Sequence, residues 1–165
     1  MSLFVEKKRE EIVSRINNLT PEAQRLWGKM NANQMLCHCT DGLRGCLGEL
    51  DGDKADESNL LTRSLMKWMV LYVIPIPKDV PTSKRVDQMF DGTKPTDFES
   101  DRKTLLEFIE KMTAKSDDFV WAKHFKFGVM NRDQWGILGY KHIHHHLKHF
   151  GVENWSAGIS ARAPI

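Results

Sequence analysis

Apolar residues recur along this chain at helical spacing. Phe4, Val5, Ile12, Val13 and Ile16 give residues 3–18 one apolar side, opposite the solvated run from Glu6 to Glu11. Asn17, Asn18 and Thr20-Pro21 end that helix, because proline disfavours helical backbone just before it. Asn31 opens a second helix: the Asn31-x-x-Gln34 spacing lets both side chains satisfy free N–H groups of the first turn. Met35, Cys39, Gly42 and Cys46 centre its apolar side, and His38 lies roughly 90° away at the seam with a neighbour. Gly42, Gly45 and Gly48 are poor helix formers and predict a close approach or a cavity beside the helix. Residues 58–74 are the most apolar helical segment and the one expected to be most buried.

Residues 75–96 carry Pro75, Pro77, Pro81 and Pro95 and predict a long irregular connection, a candidate lid. Phe98, Leu105, Leu106, Ile109 and Met112 mark a helix over 97–115. After an aromatic linker (116–130), Asn131-x-x-Gln134 repeats the capping spacing and opens the last helix, with Gly151 in position to end it. The segment Gly28-x-Met30-Asn31-x-x-Gln34 thus recurs as Gly128-x-Met130-Asn131-x-x-Gln134, one hundred residues on. That echo favours placing the two helices side by side. The acidic stretch 51–57 reads as a surface loop. Residues 1–152 read as one domain and 153–165 as a tail.

The last helix holds five of the seven histidines between Lys141 and His149. At 100° per residue, Trp135, Gly139, His142 and His146 share one side, while Lys141, His144 and Lys148 face the other. Imidazoles at i and i+4 stand about 5–6 Å apart at Cβ, within reach of one ion. The plainer reading, histidines solvated or satisfied in a core, stands beside this. His38 gains weight from the echo that pairs its helix with the cluster. His145 and His149 flank the inward side; Asp41 lies one turn after His38 and could orient it or carry a proton, although a solvent-exposed Asp41 is the commoner case. No His-Glu-x-x-His, Glu-x-x-His, Walker or nucleophile-elbow motif occurs, which leaves a mononuclear, nitrogen-rich site with open positions.

With 41% apolar and 28% charged residues and a net charge of +2, nothing in the composition favours nucleic acid or an anionic membrane. The longest apolar run is too short to span a bilayer, and no leader pattern opens the chain, so the expectation is a cytoplasmic protein. Cys37, Cys39 and Cys46 are odd in number and on one helix, hence expected as reduced thiols.

Leu36-Cys37-His38 on an early helix and His142-x-x-x-His146 on the last resemble the DinB/YfiT-like superfamily of metal-binding four-helix bundles. The match is closer to a branch catalogued as a domain of unknown function. Trp27-Gly28-Lys29-Met30, Phe127-Gly128-Val129-Met130, Trp135-Gly136-Ile137-Leu138 and His142 to Leu147 carry it. The resemblance implies an all-α four-helix bundle with a long crossover and an extra short helix or loop. It implies His38, His142 and His146 as ligands of a divalent metal ion, zinc or nickel first and manganese or iron as alternatives. It also implies a homodimer, a low-molecular-weight thiol and a small electrophilic substrate, as in thiol-dependent transferases of that superfamily. His149 stands where many relatives carry Gln. Two readings follow: a metal-dependent transferase or hydrolase with Asp41, Tyr140 or His149 as candidate proton carriers, or a non-catalytic metal- or ligand-binding dimer acting in stress or sensing.

Overall fold

The computed structural model describes residues 1–50, 58–78 and 83–152. The acidic 51–57 stretch, part of the proline-rich connection and the tail lie outside the described residues. Among these residues the fold is all-helical: α1 (Glu6–Asn17), α2 (Ala32–Leu47), α3 (Phe98–Thr113) and α4 (Arg132–His149), with no strand. α2 packs on α3 and α4, and α1 on α4 and α3. Each apolar stripe turns to a shared core: Ile12 and Ile16, Met35 and Cys39, Leu105 and Ile109, and Ile143 and Leu147 are all buried. No helix among the described residues is long and apolar enough to cross a membrane.

Both predicted capping boxes form. The Asn31 side chain accepts from Gln34 N (2.8 Å) while Gln34 accepts from Asn31 N (2.9 Å). Asn131 and Gln134 repeat the exchange at 2.9 and 3.2 Å. The echo extends to the backbone, since Gly28 and Gly128 both have positive φ, 73° and 64°. The two helices that these segments open do lie against each other. Gly151 follows Phe150 with φ of 70° and ends α4 as expected.

Residues 58–74 depart from expectation. They form two short wide-turn (π) helices, Thr62–Met66 and Met69–Val73, across the outside of the molecule. Leu61, Leu65, Trp68 and Tyr72 are each at least half exposed, and Leu71 alone is fully buried. The helices α1–α4 already fill the core, so an apolar segment must lie outside it, and residue hydrophobicity does not say which segment that is. Lys141 ties this segment to α4: its ammonium donates to the carbonyls of Ile74 (2.6 Å) and Val70. Lys141 therefore does not face open solvent. Nor does His144, whose Nδ1 accepts from the wholly buried Arg15 at 2.7 Å. Arg15 Nε donates in turn to Val152 O at 2.8 Å. α1 begins at Glu6, three residues later than its pattern suggested, and Val5 is exposed.

The second aromatic linker folds back on itself. His124 and Gly128 exchange backbone hydrogen bonds of 2.8 Å each way. The His124 ring stacks on Phe127 at 4.5 Å, and its Nδ1 accepts from the N–H groups of Lys126 and Phe127 at 3.1 Å. A nitrogen that accepts two N–H bonds carries no proton, and burial lowers the His124 pKa from 6.5 to about 4, with Lys126 adding to the shift. A depressed histidine pKa means the unfolded chain takes up the proton first. The His124 contribution is therefore complete above pH 6.5 and is lost as pH falls toward 4. His124→Asn keeps an acceptor for both N–H groups but does not titrate. Its melting temperature should fall less steeply than wild type between pH 7 and 4 by calorimetry; equal slopes would contradict this assignment.

Candidate metal centre

The α2–α4 contact sets three imidazoles around one point. His38 Nε2 lies 3.0 Å from His142 Nε2, and His146 Nε2 lies 3.2 Å from the same atom. The ring centroids form a near-equilateral triangle of 4.8, 4.7 and 4.7 Å, and the rings stand steeply to one another. His38 and His146 are buried, and His142 is partly exposed. These three residues could hold a metal ion.

The protonation states suit that use. His38 Nδ1 is 2.7 Å from the Val86 carbonyl, which can only accept, so Nδ1 carries the proton and Nε2 presents a lone pair. Burial lowers the His38 pKa, with Val86 partly opposing. Burial pushes His142 and His146 well below 6.5, and the neighbouring imidazoles push further. All three are thus neutral at pH 7, the form that binds metal. A single N–H proton can join one pair of the three facing nitrogens, whereas one cation accepts all three lone pairs. Two nitrogens each about 2.0–2.1 Å from a tetrahedral zinc sit about 3.3 Å apart, close to the spacings found here. The donor set fits a metal ion and does not by itself select which one.

Gly42 gives His142 its clearance against α2. A Cβ at that position would stand 3.3 Å from Cε1 and Nδ1 of His142. The clearance predicted beside α2 is therefore filled by the imidazole of His142. Of the three glycines that gave the sequence signal, only Gly42 meets a histidine; Gly45 faces Leu50 at 3.4 Å, and Gly48, with φ of 77°, caps α2 rather than lying within it.

The other candidates lie elsewhere. His149 is buried and stacks on Trp27 at 5.2 Å and 11°, with Lys78 Nζ 4.3 Å from the centre of the Trp27 ring. Gly28 leaves room for it: a Cβ there would stand 2.7 Å from His149 Cε1. The His149 ring centre is 6.3 Å from that of His146, and His149 is not in the convergent set. His145 is held by the backbone of Ile76. The Tyr140 hydroxyl donates to Glu11 at 3.1 Å on the α1 side, and burial raises its pKa. Asp41 is not exposed but wholly buried, and it accepts from Gln88 and Thr93. Cys37, Cys39 and Cys46 are free and buried, and burial raises the thiol pKa of Cys37 and Cys46 to about 12 and that of Cys39 further still, which makes them inert thiols. Sequence reasoning missed the Val86 carbonyl, since no local pattern marks a backbone partner 48 residues away.

The family model of DUF1569, a protein of unknown function, matches residues 2–153. The chain belongs to the DUF1569 family. Comparison with curated proteins and with solved structures returns no match. In this DUF1569 chain the match runs from before α1 to just past α4, so it includes all three convergent histidines.

Gly42→Ala separates site geometry from fold stability. Alanine gains about 1 kcal/mol in helix propensity over glycine, set against a crowded His142. The variant should melt within a few degrees of wild type and bind zinc at least tenfold more weakly by competition titration. Unchanged zinc affinity would contradict the role given to Gly42.

Proposed function

We propose that this DUF1569 chain is a metal-dependent enzyme on a DinB-like four-helix bundle with a long crossover connection. His38, His142 and His146 would hold one divalent ion, zinc or nickel first, manganese or iron as alternatives. The observation that carries the reading is the convergence of three neutral Nε2 atoms with His142 partly exposed. Three protein ligands leave room for a further one, as in catalytic rather than structural sites. A divalent ion held there would supply a lowered pKa to a bound thiol or water. The chain's own contribution is to fix the His38 tautomer through Val86 and to keep His142 and His146 unprotonated by burial. The reaction class is transfer of a low-molecular-weight thiol to a small electrophile, or hydrolysis.

One observation favours the second reading, a non-catalytic metal- or ligand-binding dimer. Asp41 and Tyr140 are engaged with Thr93 and Glu11, and His149 is stacked on Trp27, so none of the three offers a proton carrier at the cluster. Leu61, Leu65, Trp68 and Tyr72 leave exposed apolar surface on the wide-turn segment, which a second copy could cover.

One set of preparations separates these readings. Protein made without a tag or a nickel column is loaded with zinc or nickel, sedimented, and assayed with small thiols plus electrophiles and with activated esters. The enzyme reading predicts turnover that falls to the blank in His142→Ala. A loaded dimer with no turnover in any pairing would favour the binding bundle.

A further inference from the structure

Residues 83–94 form a strap over the His38 end of the site. The strap is closed on itself: Asp91 N donates to Lys84 O at 3.0 Å, and Lys94 Nζ donates to Gln88 O at 2.9 Å. Its 3-10 turn, Lys84–Val86, ends on the carbonyl that takes the proton of His38 Nδ1. The strap has no long apolar anchor of its own, since Met89 and Phe90 are both more than half exposed. What holds it to α2 is polar. Asp41 Oδ2 accepts from Gln88 Nε2 (3.1 Å) and from Thr93 N (2.9 Å), and Oδ1 accepts from the Thr93 hydroxyl (2.6 Å). Arg44 adds a bond to Thr93 Oγ1 at 3.1 Å and stands 3.6 Å from the Asp41 carboxylate. Arg85 donates to Leu50 O just beyond α2.

His38 and Asp41 are therefore two grips on one strap, three residues apart on one helix. The first takes Val86, the second Gln88 and Thr93. A carboxylate with no exposed surface is costly to bury unless its acceptor positions are filled, and here three strap bonds fill them. The strap cannot shift along α2 without leaving that carboxylate short of donors.

We propose that Asp41 is a positioning residue of the metal centre: it registers the strap so that the Val86 carbonyl holds His38 with its proton on Nδ1 and its Nε2 lone pair turned to the ion. This rests on the metal-centre reading for its purpose, but the tautomer it predicts belongs to the protein without metal. Partners that orient a ligating histidine are commonly worth 10–100-fold in metal affinity. Here the orienting partner is a backbone carbonyl, which no substitution removes, so Asp41 is the side chain through which it is set.

The test is long-range proton–nitrogen NMR on nitrogen-15-labelled metal-free protein, together with zinc affinity by competition. Wild type, Asp41→Ala, Asp41→Asn, Thr93→Val and Asp97→Ala are compared. Asp97→Ala removes the N-cap of α3, where the Asp97 side chain accepts from Ser100 N, and it controls for general loss of stability. The expected result is one His38 tautomer in wild type and in Asp97→Ala, protonated on Nδ1. Asp41→Ala should show mixed tautomers and 10–100-fold weaker zinc binding, with Asp41→Asn and Thr93→Val in between. If Asp41→Ala does not fold, the latter two decide. Folded Asp41 or Thr93 variants that keep a single His38 tautomer and wild-type zinc affinity would overturn the proposal. Wild type that binds no zinc would sink the metal-centre reading, while the tautomer still judges Asp41.

Discussion

Packing α2 against α4 sets His38 3.0 Å from His142, and the surroundings are arranged to make that contact tolerable. Facing lone pairs repel, burial withholds the protons that would relieve them, and only a shared proton or a shared cation removes the conflict. The fold spends specific features on keeping the rings there. Gly42 gives His142 its space, Val86 fixes one ring of the pair, and Trp27 holds His149 out of the cluster. A packing histidine needs none of these.

Long polar side chains do much of the joining outside the core. Lys141 ends the wide-turn segment on α4, and Arg15 ties α1 to His144 and to Val152. Asp41 holds the strap. Each satisfies backbone or side-chain groups that the connecting segments leave open. One consequence is exposed apolar surface between Leu61 and Tyr72, on a segment held through Leu71 and through lysine ammonium groups.

Local signals were legible in the sequence. Capping at Asn31 and Asn131 needs only residues three apart, and the apolar stripes of α2 and α3 repeat at helical period. The juxtaposition of α2 and α4 could be read from the Gly-x-Met-Asn echo, whose glycines share a left-handed backbone. The pairing of His142 with His146 followed from one turn of helix. Contacts made over long separations were not legible. Lys141 and His144 read as facing away from the core because periodicity gives a direction but not what lies there. Asp41 read as exposed because nothing in its neighbours marks a strap returning from 47 and 52 residues away. Residues 58–74 read as the most buried because hydrophobicity ranks segments without showing which ones the core has room for.

The most direct measurement of the central claim is metal content by mass spectrometry. It uses protein produced without a polyhistidine tag or a nickel column, and compares wild type with the His142→Ala/His146→Ala double variant. The account predicts about one divalent ion per chain in wild type and none in a folded double variant. Wild type that carries no ion, even after incubation with zinc, nickel and manganese, would contradict it.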